Sequence, residues 1–133
     1  MQKIYRLMKI SLESKILVVD DIHTNTNLVK AYLKNTHLDV LVAHNGRDAI
    51  RLAKEYNPDL ILMDIQMSPM DGFQSLRKIR ETNSVYTIPI IAFSASIMPE
   101  QEVKVFEAGF TDFLKKPFRK QELFYMLKKH LTE

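Results

Sequence analysis

Cysteine is absent from the 133-residue chain, which excludes disulfides and thiolate chemistry. That suits a reducing cytoplasm, the expected compartment, either for the chain alone or for the cytoplasmic part of a membrane-bound parent. No apolar run approaches the roughly 20 residues of a helical membrane span. No stretch has the basic, apolar and cleavage regions of a secretory signal. Neither sign of charge dominates: 19 Lys and Arg against 16 Asp and Glu leave +3, too little to suggest nucleic-acid binding by itself. Glycine is scarce, with three in all, and none follows the first apolar run. There Asp20-Asp21-Ile22-His23-Thr24 stands where a phosphate-cradling loop would need glycines. Neither G-x-G-x-x-G nor a Walker loop occurs, which argues against a dinucleotide or nucleotide enzyme. No histidine pair has ligand spacing, so zinc is disfavoured. There is no internal repeat, no low-complexity tract and no sign of a second domain.

What is present is an ordinary globular composition, 46% hydrophobic and 26% charged, long enough to bury a core. Residues 1–14 precede the first convincing strand. Ile4, Leu7, Met8 and Leu12 share one helical face, so the segment reads as a short amphipathic helix, a linker from a longer parent or a cloning remnant. Residues 15–133 read as the folded domain. Lys15 to Asp21 is a β-branched, apolar strand ending in two acids. Thr24 or Asn25 can cap a helix with Leu28, Val29, Tyr32 and Leu33 on its apolar stripe. Val40 to Ala43 is a second strand, and Asn45-Gly46 turns into a helix carrying Ala49, Ile50, Ala53 and Tyr56. Asn57-Pro58 ends it, and Leu60 to Asp64 is a third strand. Phe73, Leu76, Ile79 and Arg80 mark the next helix, and Pro89 to Phe93 is a fourth strand running into Ser94. Pro99 suits the first turn of a helix carrying Val103, Val105 and Phe106, with Gly109 as its stop. Thr111 to Leu114 is a fifth strand before Lys115-Lys116-Pro117. A last helix from about Arg119 to Leu131 turns Leu123, Phe124, Leu127 and Leu131 inward. Strands alternating with helices through short connections predict an α/β fold, a parallel sheet with helices on both faces.

In such a sheet the C-terminal ends of the strands share one rim. That rim collects Asp20 and Asp21 from the first strand, Asp64 from the third, Ser94 from the fourth and Lys116 from the end of the fifth. Three clustered acids repel unless a cation sits among them. Oxygen ligands alone favour a hard ion, and magnesium, which keeps several waters, fits better than a full calcium cage. A carboxylate beside such an ion, a lysine and a hydroxyl is suited to accept a phosphoryl group, which points to phosphorylation of Asp64. The remaining basic residues late in the chain (Lys115, Arg119, Lys120, Lys128, Lys129) read as a solvated face, and His23, His37, His44 and His130 as surface positions.

The paired acids, the lone Asp64 followed by Met70-Asp71-Gly72, Ser94-Ala95 and Lys116-Pro117, in that order, resemble the receiver domain of two-component response regulators. The resemblance spans about Lys15 to Leu131. It implies the flavodoxin-like doubly wound sheet, with strand order 2-1-3-4-5, shared with the chemotaxis response regulator. It implies that Asp64 takes a phosphoryl group from a histidine kinase or histidine phosphotransfer protein. Asp21 would ligate magnesium directly, Asp20 mostly through water, and Asp64 and the backbone carbonyl of Gln66 would complete the protein ligands. Lys116 would pair with the phosphoryl group, Ser94 would move toward it, and Phe113 would be the aromatic that rotates inward. Ala95 and Pro117 support these positions, while Gln66 and Ser96 stand where hydrolysis is tuned. Output would pass through the face of the fourth helix, fifth strand and fifth helix. Neither nucleic acid nor membrane is expected as a direct partner.

Two departures stand out. Ser68 occupies the family's usual proline, with Pro69 one place later, which predicts a local change of backbone. Phenylalanine at 113 replaces the commoner tyrosine and lacks its hydroxyl. An aspartyl phosphohydrolase would want a second acid two residues after an acid ending the first strand, and Ile22 stands there. A phosphate-independent interaction module would have no chemical need for Asp21, Asp64, Ser94 and Lys116 together. The expectation is therefore a switch that catalyses only its own phosphorylation and dephosphorylation. It would be either a stand-alone regulator or, favoured by the N-terminal segment and by no effector following Leu131, the receiver of a hybrid sensor histidine kinase.

Overall fold

The computed structural model describes residues 14–81, 88–95 and 98–131. The expected N-terminal helix and Ser96 lie outside them. Five parallel strands, β1 (Lys15–Val19), β2 (Asp39–Ala43), β3 (Leu60–Asp64), β4 (Ile90–Ser94) and β5 (Asp112–Lys115), form one sheet in the order β2-β1-β3-β4-β5. Five helices connect and cover them: α1 (His23–Tyr32), α2 (Gly46–Tyr56), α3 (Gly72–Arg80), α4 (Pro99–Ala108) and α5 (Lys120–Leu131). The expected doubly wound α/β fold is the one observed.

Alternation along each strand divides the core. Leu17, Val19, Ile61, Met63, Ile90 and Ala92 pack with Ala49, Ala53, Leu76, Ile79 and Val105, from α2, α3 and α4. Ile16, Val18, Leu60, Leu62, Ile91 and Phe93 pack with Val29, Leu33, Leu123 and Leu127, from the α1 and α5 side. Both faces of β1 and β3 are therefore buried, which is why these strands read as unbroken apolar runs. Each fully buried aliphatic side chain contributes roughly 1.5–3 kcal/mol.

Several helices differ from the local reading. Strand β1 ends at Val19, so Asp20 and Asp21 stand just beyond it. Helix α1 begins at His23 with Ile22 at the cap position and no side-chain cap, so neither Thr24 nor Asn25 caps it. Asn25 instead donates its amide to Asp20 Oδ2 at 2.9 Å. In α4 only Val105 is buried; Val103 and Phe106 are 57% and 49% exposed. Tyr56 also faces outward. His130 is largely covered, with Nε2 2.9 Å from Asp112 Oδ2. Other ends match their signals. Asn45 accepts from the Asp48 N–H at 2.7 Å and starts α2, and Asn57, at φ 46°, ends it. Asp71 and Gln74 form a reciprocal capping box at the start of α3. Proline opens α4 and Gly109, at φ 112°, closes it.

Candidate functional site

Register places the rim residues side by side. Val19 pairs with Met63, Asp64 with Phe93, and Ser94 with Lys115, so Asp20, Asp64, Ser94 and Lys116 end neighbouring strands. The Lys116 N–H donates to the Ser94 carbonyl at 2.9 Å, continuing the β4–β5 ladder to the lysine itself. The Ser68–Pro69 and Lys116–Pro117 peptides are both cis.

Asp20, Asp64 and Ser94 are buried and Asp21 is exposed. One carboxylate oxygen from each of Asp20, Asp21 and Asp64 lies within 4.8 Å of the others. Lys116 Nζ stands 2.7 Å from Asp20 Oδ2 and 3.5 Å from Asp64 Oδ2, and 4.7 Å above the centre of the Phe93 ring. Asp20 Oδ1 accepts from the Ile22 N–H at 2.9 Å, and Asp64 Oδ1 from the Gln66 N–H at 3.0 Å. Burial raises the Asp64 carboxyl from 3.8 to about 6. The Gln66 N–H opposes this, the nearby Asp20 adds to it, and Lys116 offsets part of it. With all three acids ionised, the single lysine leaves two negative charges uncompensated at a site built from hard oxygen donors. The residues therefore fit a divalent hard cation.

Asp64 opens onto a cavity of about 320 Å³. Its polar lining is Asp64, Gln66, Asn25 and Lys116, and Ile22, Leu28, Ala95, Pro117 and Phe118 form the rest. Phe113 is half-buried at the edge of the core, edge-to-face with Phe106 at 6.0 Å between ring centres. The Gln66 side chain is exposed.

Two contacts at Asp20 go beyond the residues expected at the rim. Asn25 reaches back to Asp20, and His44 Nδ1 lies 3.0 Å from the Asp20 backbone carbonyl. Asn25 is five residues after Asp20 on the α1 turn, a spacing that could have signalled it. His44 is 24 residues away and meets Asp20 only because β2 lies beside β1.

The sequence model of the response regulator receiver domain matches residues 16–128. The chain is 38% identical over 122 residues to hybrid signal transduction histidine kinase L of Dictyostelium discoideum. That match covers 87% of this chain and 7% of the kinase, so the chain spans a small fraction of that relative. Among solved structures, the receiver domain of sensor histidine kinase PA1611 from Pseudomonas aeruginosa PAO1, with a magnesium ion coordinated in its active-site cleft, is 31% identical with a TM-score of 0.82. There the match covers 89% of this chain and 97% of that one. Chemotaxis protein CheY4 of Vibrio cholerae is 28% identical with a TM-score of 0.83, over 88% of this chain and 98% of that one. Rim geometry, sheet order and these matches agree: this chain belongs to the response regulator receiver domain family of two-component signalling.

Proposed function

We propose that residues 15–133 are a phosphoacceptor receiver, with residues 1–14 an extension or linker, and that Asp64 takes a phosphoryl group from a phosphohistidine on a kinase or phosphotransfer protein. The observation that carries this reading is the Asp64 carboxylate itself. It is buried at a strand end, 3.5 Å from Lys116 Nζ, in an acid cluster that opens on a cavity. An Asp64 oxygen attacks phosphorus, the phosphorus–nitrogen bond breaks, and its electron pair returns to the donor imidazole. Lys116 holds the incoming oxygens against the two carboxylates, and the Ser94 hydroxyl donates to one of them. Asp20, Asp21, Asp64 and the Gln66 carbonyl would hold Mg²⁺, whose bound charge offsets that of the transferred oxygens. The magnesium in the PA1611 receiver supports this choice of ion.

The switch follows from differential contact: phosphoryl oxygens that engage Ser94 and Lys116 favour one arrangement of β4, β5 and Phe113 over another. Output then passes through the α4–β5–α5 face, where Val103, Phe106 and Tyr125 are exposed. The domain catalyses only its own phosphorylation and dephosphorylation. The parent proposed is a hybrid sensor histidine kinase, in line with histidine kinase L and PA1611, and its receiver would face the cytoplasm. No helix among the described residues is long and apolar enough to cross a membrane.

The test is intact-protein mass after incubation with a small phosphodonor, with and without Mg²⁺, for the native chain and Asp64→Asn. A Mg²⁺-dependent gain of one phosphoryl group, absent from the variant, is expected. No gain together with no Mg²⁺ binding would overturn the reading.

A further inference from the structure

We propose that His44, with His23 stacked on it, is a positioning residue that aims Asp21 at the divalent cation; this rests on the reading of the acid cluster as a metal site. The contacts run from the end of β2 to the peptide between the two acids. The Asp20 N–H donates to the Ala43 carbonyl at 3.1 Å. The next residue, His44, turns its ring back so that Nδ1 lies 3.0 Å from the Asp20 carbonyl oxygen. A carbonyl only accepts, so Nδ1 carries the hydrogen. The ring lies against His23, with centres 3.7 Å apart and planes within 3°.

The Asp20 carbonyl belongs to the planar unit that joins Asp20 to Asp21. A hydrogen bond to its oxygen sets the rotation of that plane, and with it the direction in which Asp21 leaves the backbone. Asp21 depends on this more than its neighbours do. The Asp20 carboxylate is gripped by the Ile22 N–H, Asn25 and Lys116, and the Asp64 carboxylate by the Gln66 N–H and Lys116. The exposed Asp21 side chain makes no hydrogen bond or ion pair among the described residues. Its direction is set by backbone alone, and His44 holds that backbone. His23 stacks on the face of the imidazole and keeps the ring in the plane the hydrogen bond requires.

The two contributions separate by substitution. His44→Phe keeps a flat ring against His23 but has no N–H. His44→Asn keeps an amide N–H near the place of Nδ1 but has no ring. Magnesium titration by calorimetry, on the full chain at about pH 8, above the ordinary histidine range, should find His44→Phe weaker by about tenfold, the scale of outer-shell losses at metal sites. His44→Asn should stay within about threefold of native. In the metal-free native chain, ring-nitrogen NMR should find His44 as the Nδ1–H tautomer, which decides the hydrogen bond even if His44→Phe does not fold. A native chain that binds Mg²⁺ with His44→Phe equally tight would overturn this proposal alone, as would His44→Asn losing as much as His44→Phe, or an Nε2–H tautomer. A native chain that binds no Mg²⁺ would overturn the metal reading and this proposal with it.

Discussion

Asp64 is a carboxylate kept where burial opposes its charge. A carboxyl whose folded pKa lies above its unfolded value binds its proton more tightly in the folded state. The stabilisation is therefore complete below 3.8 and is lost as pH rises through about 6. A rise of that size corresponds to on the order of 3 kcal/mol. Metal-free Asp64→Asn should accordingly be more stable than the native chain at neutral pH, with the difference vanishing near pH 4; urea unfolding across that range without Mg²⁺ measures it. Lys116 works in the other direction. Its ammonium pairs with both buried acids, so Lys116→Met leaves Asp20 and Asp64 without that cation. It should cost about 3 kcal/mol in metal-free protein at neutral pH, because an unpaired buried charge remains. An unchanged unfolding midpoint would show that the pair carries no such burden. At this scale the acids, the serine and the lysine were legible as strand-end polar residues after apolar runs. His44 was not, because nothing in local pattern reveals that a side chain turns to a neighbouring strand's end, and Asn25 was signalled only by its five-residue spacing from Asp20.

Among the elements, the loop from Asp64 into α3 is constrained by backbone approach. A Cβ on Gly72 would meet the Asp64 carbonyl oxygen at 2.5 Å and the Ile65 Cα at 2.6 Å, both backbone atoms that cannot swing aside. Gly72→Ala must therefore push the start of α3 away from the Asp64 backbone. It should lower stability and slow phosphoryl uptake, whereas Asp71→Ala, which removes only the capping box, should cost about 1 kcal/mol. Equal losses for the two would show that the close approach is relieved cheaply. Helix α4 illustrates what periodicity leaves open. Val103, Val105 and Phe106 are all apolar, yet only Val105 reaches the core, because the helix covers the sheet edge with a single narrow stripe. Val105→Ala should cost about 2 kcal/mol by cavity formation, while Val103→Ala should stay within about 0.5 kcal/mol. The capping signals at Asn45, Asp71 and Gly109 were legible because they are chemical requirements of a helix end. The choice of inward residue on a short helix was not, because it depends on which strand lies beneath.

Across the whole molecule, the sheet separates chemistry at one rim from anchoring at the other end of β5. Burial would raise the Asp112 carboxyl, but His130, the Phe113 N–H and Lys129 together outweigh it and hold the pKa below the ordinary value. A depressed carboxylate contributes stability that is present above its unfolded pKa and lost as pH falls through the folded one. Asp112→Asn should thus flatten the acid side of the stability profile, while Asp64→Asn flattens the side between about 4 and 6. The two-sided core was legible because alternating strands and helices with short connections admit few topologies, whereas the strand order followed from the family resemblance. The α5 latch was not, since it joins residues 18 positions apart across a helix. The claim on which the rest depends is that Asp64 is the atom-level acceptor. Borohydride reduction of the phosphorylated chain, followed by peptide mapping, reads this directly, because reduction converts an aspartyl phosphate to homoserine at the modified position. Homoserine at position 64, formed only when Mg²⁺ and phosphodonor were both present, is the expected result. Homoserine at Asp20 or Asp21 instead, or mass gain with no homoserine anywhere, would contradict it.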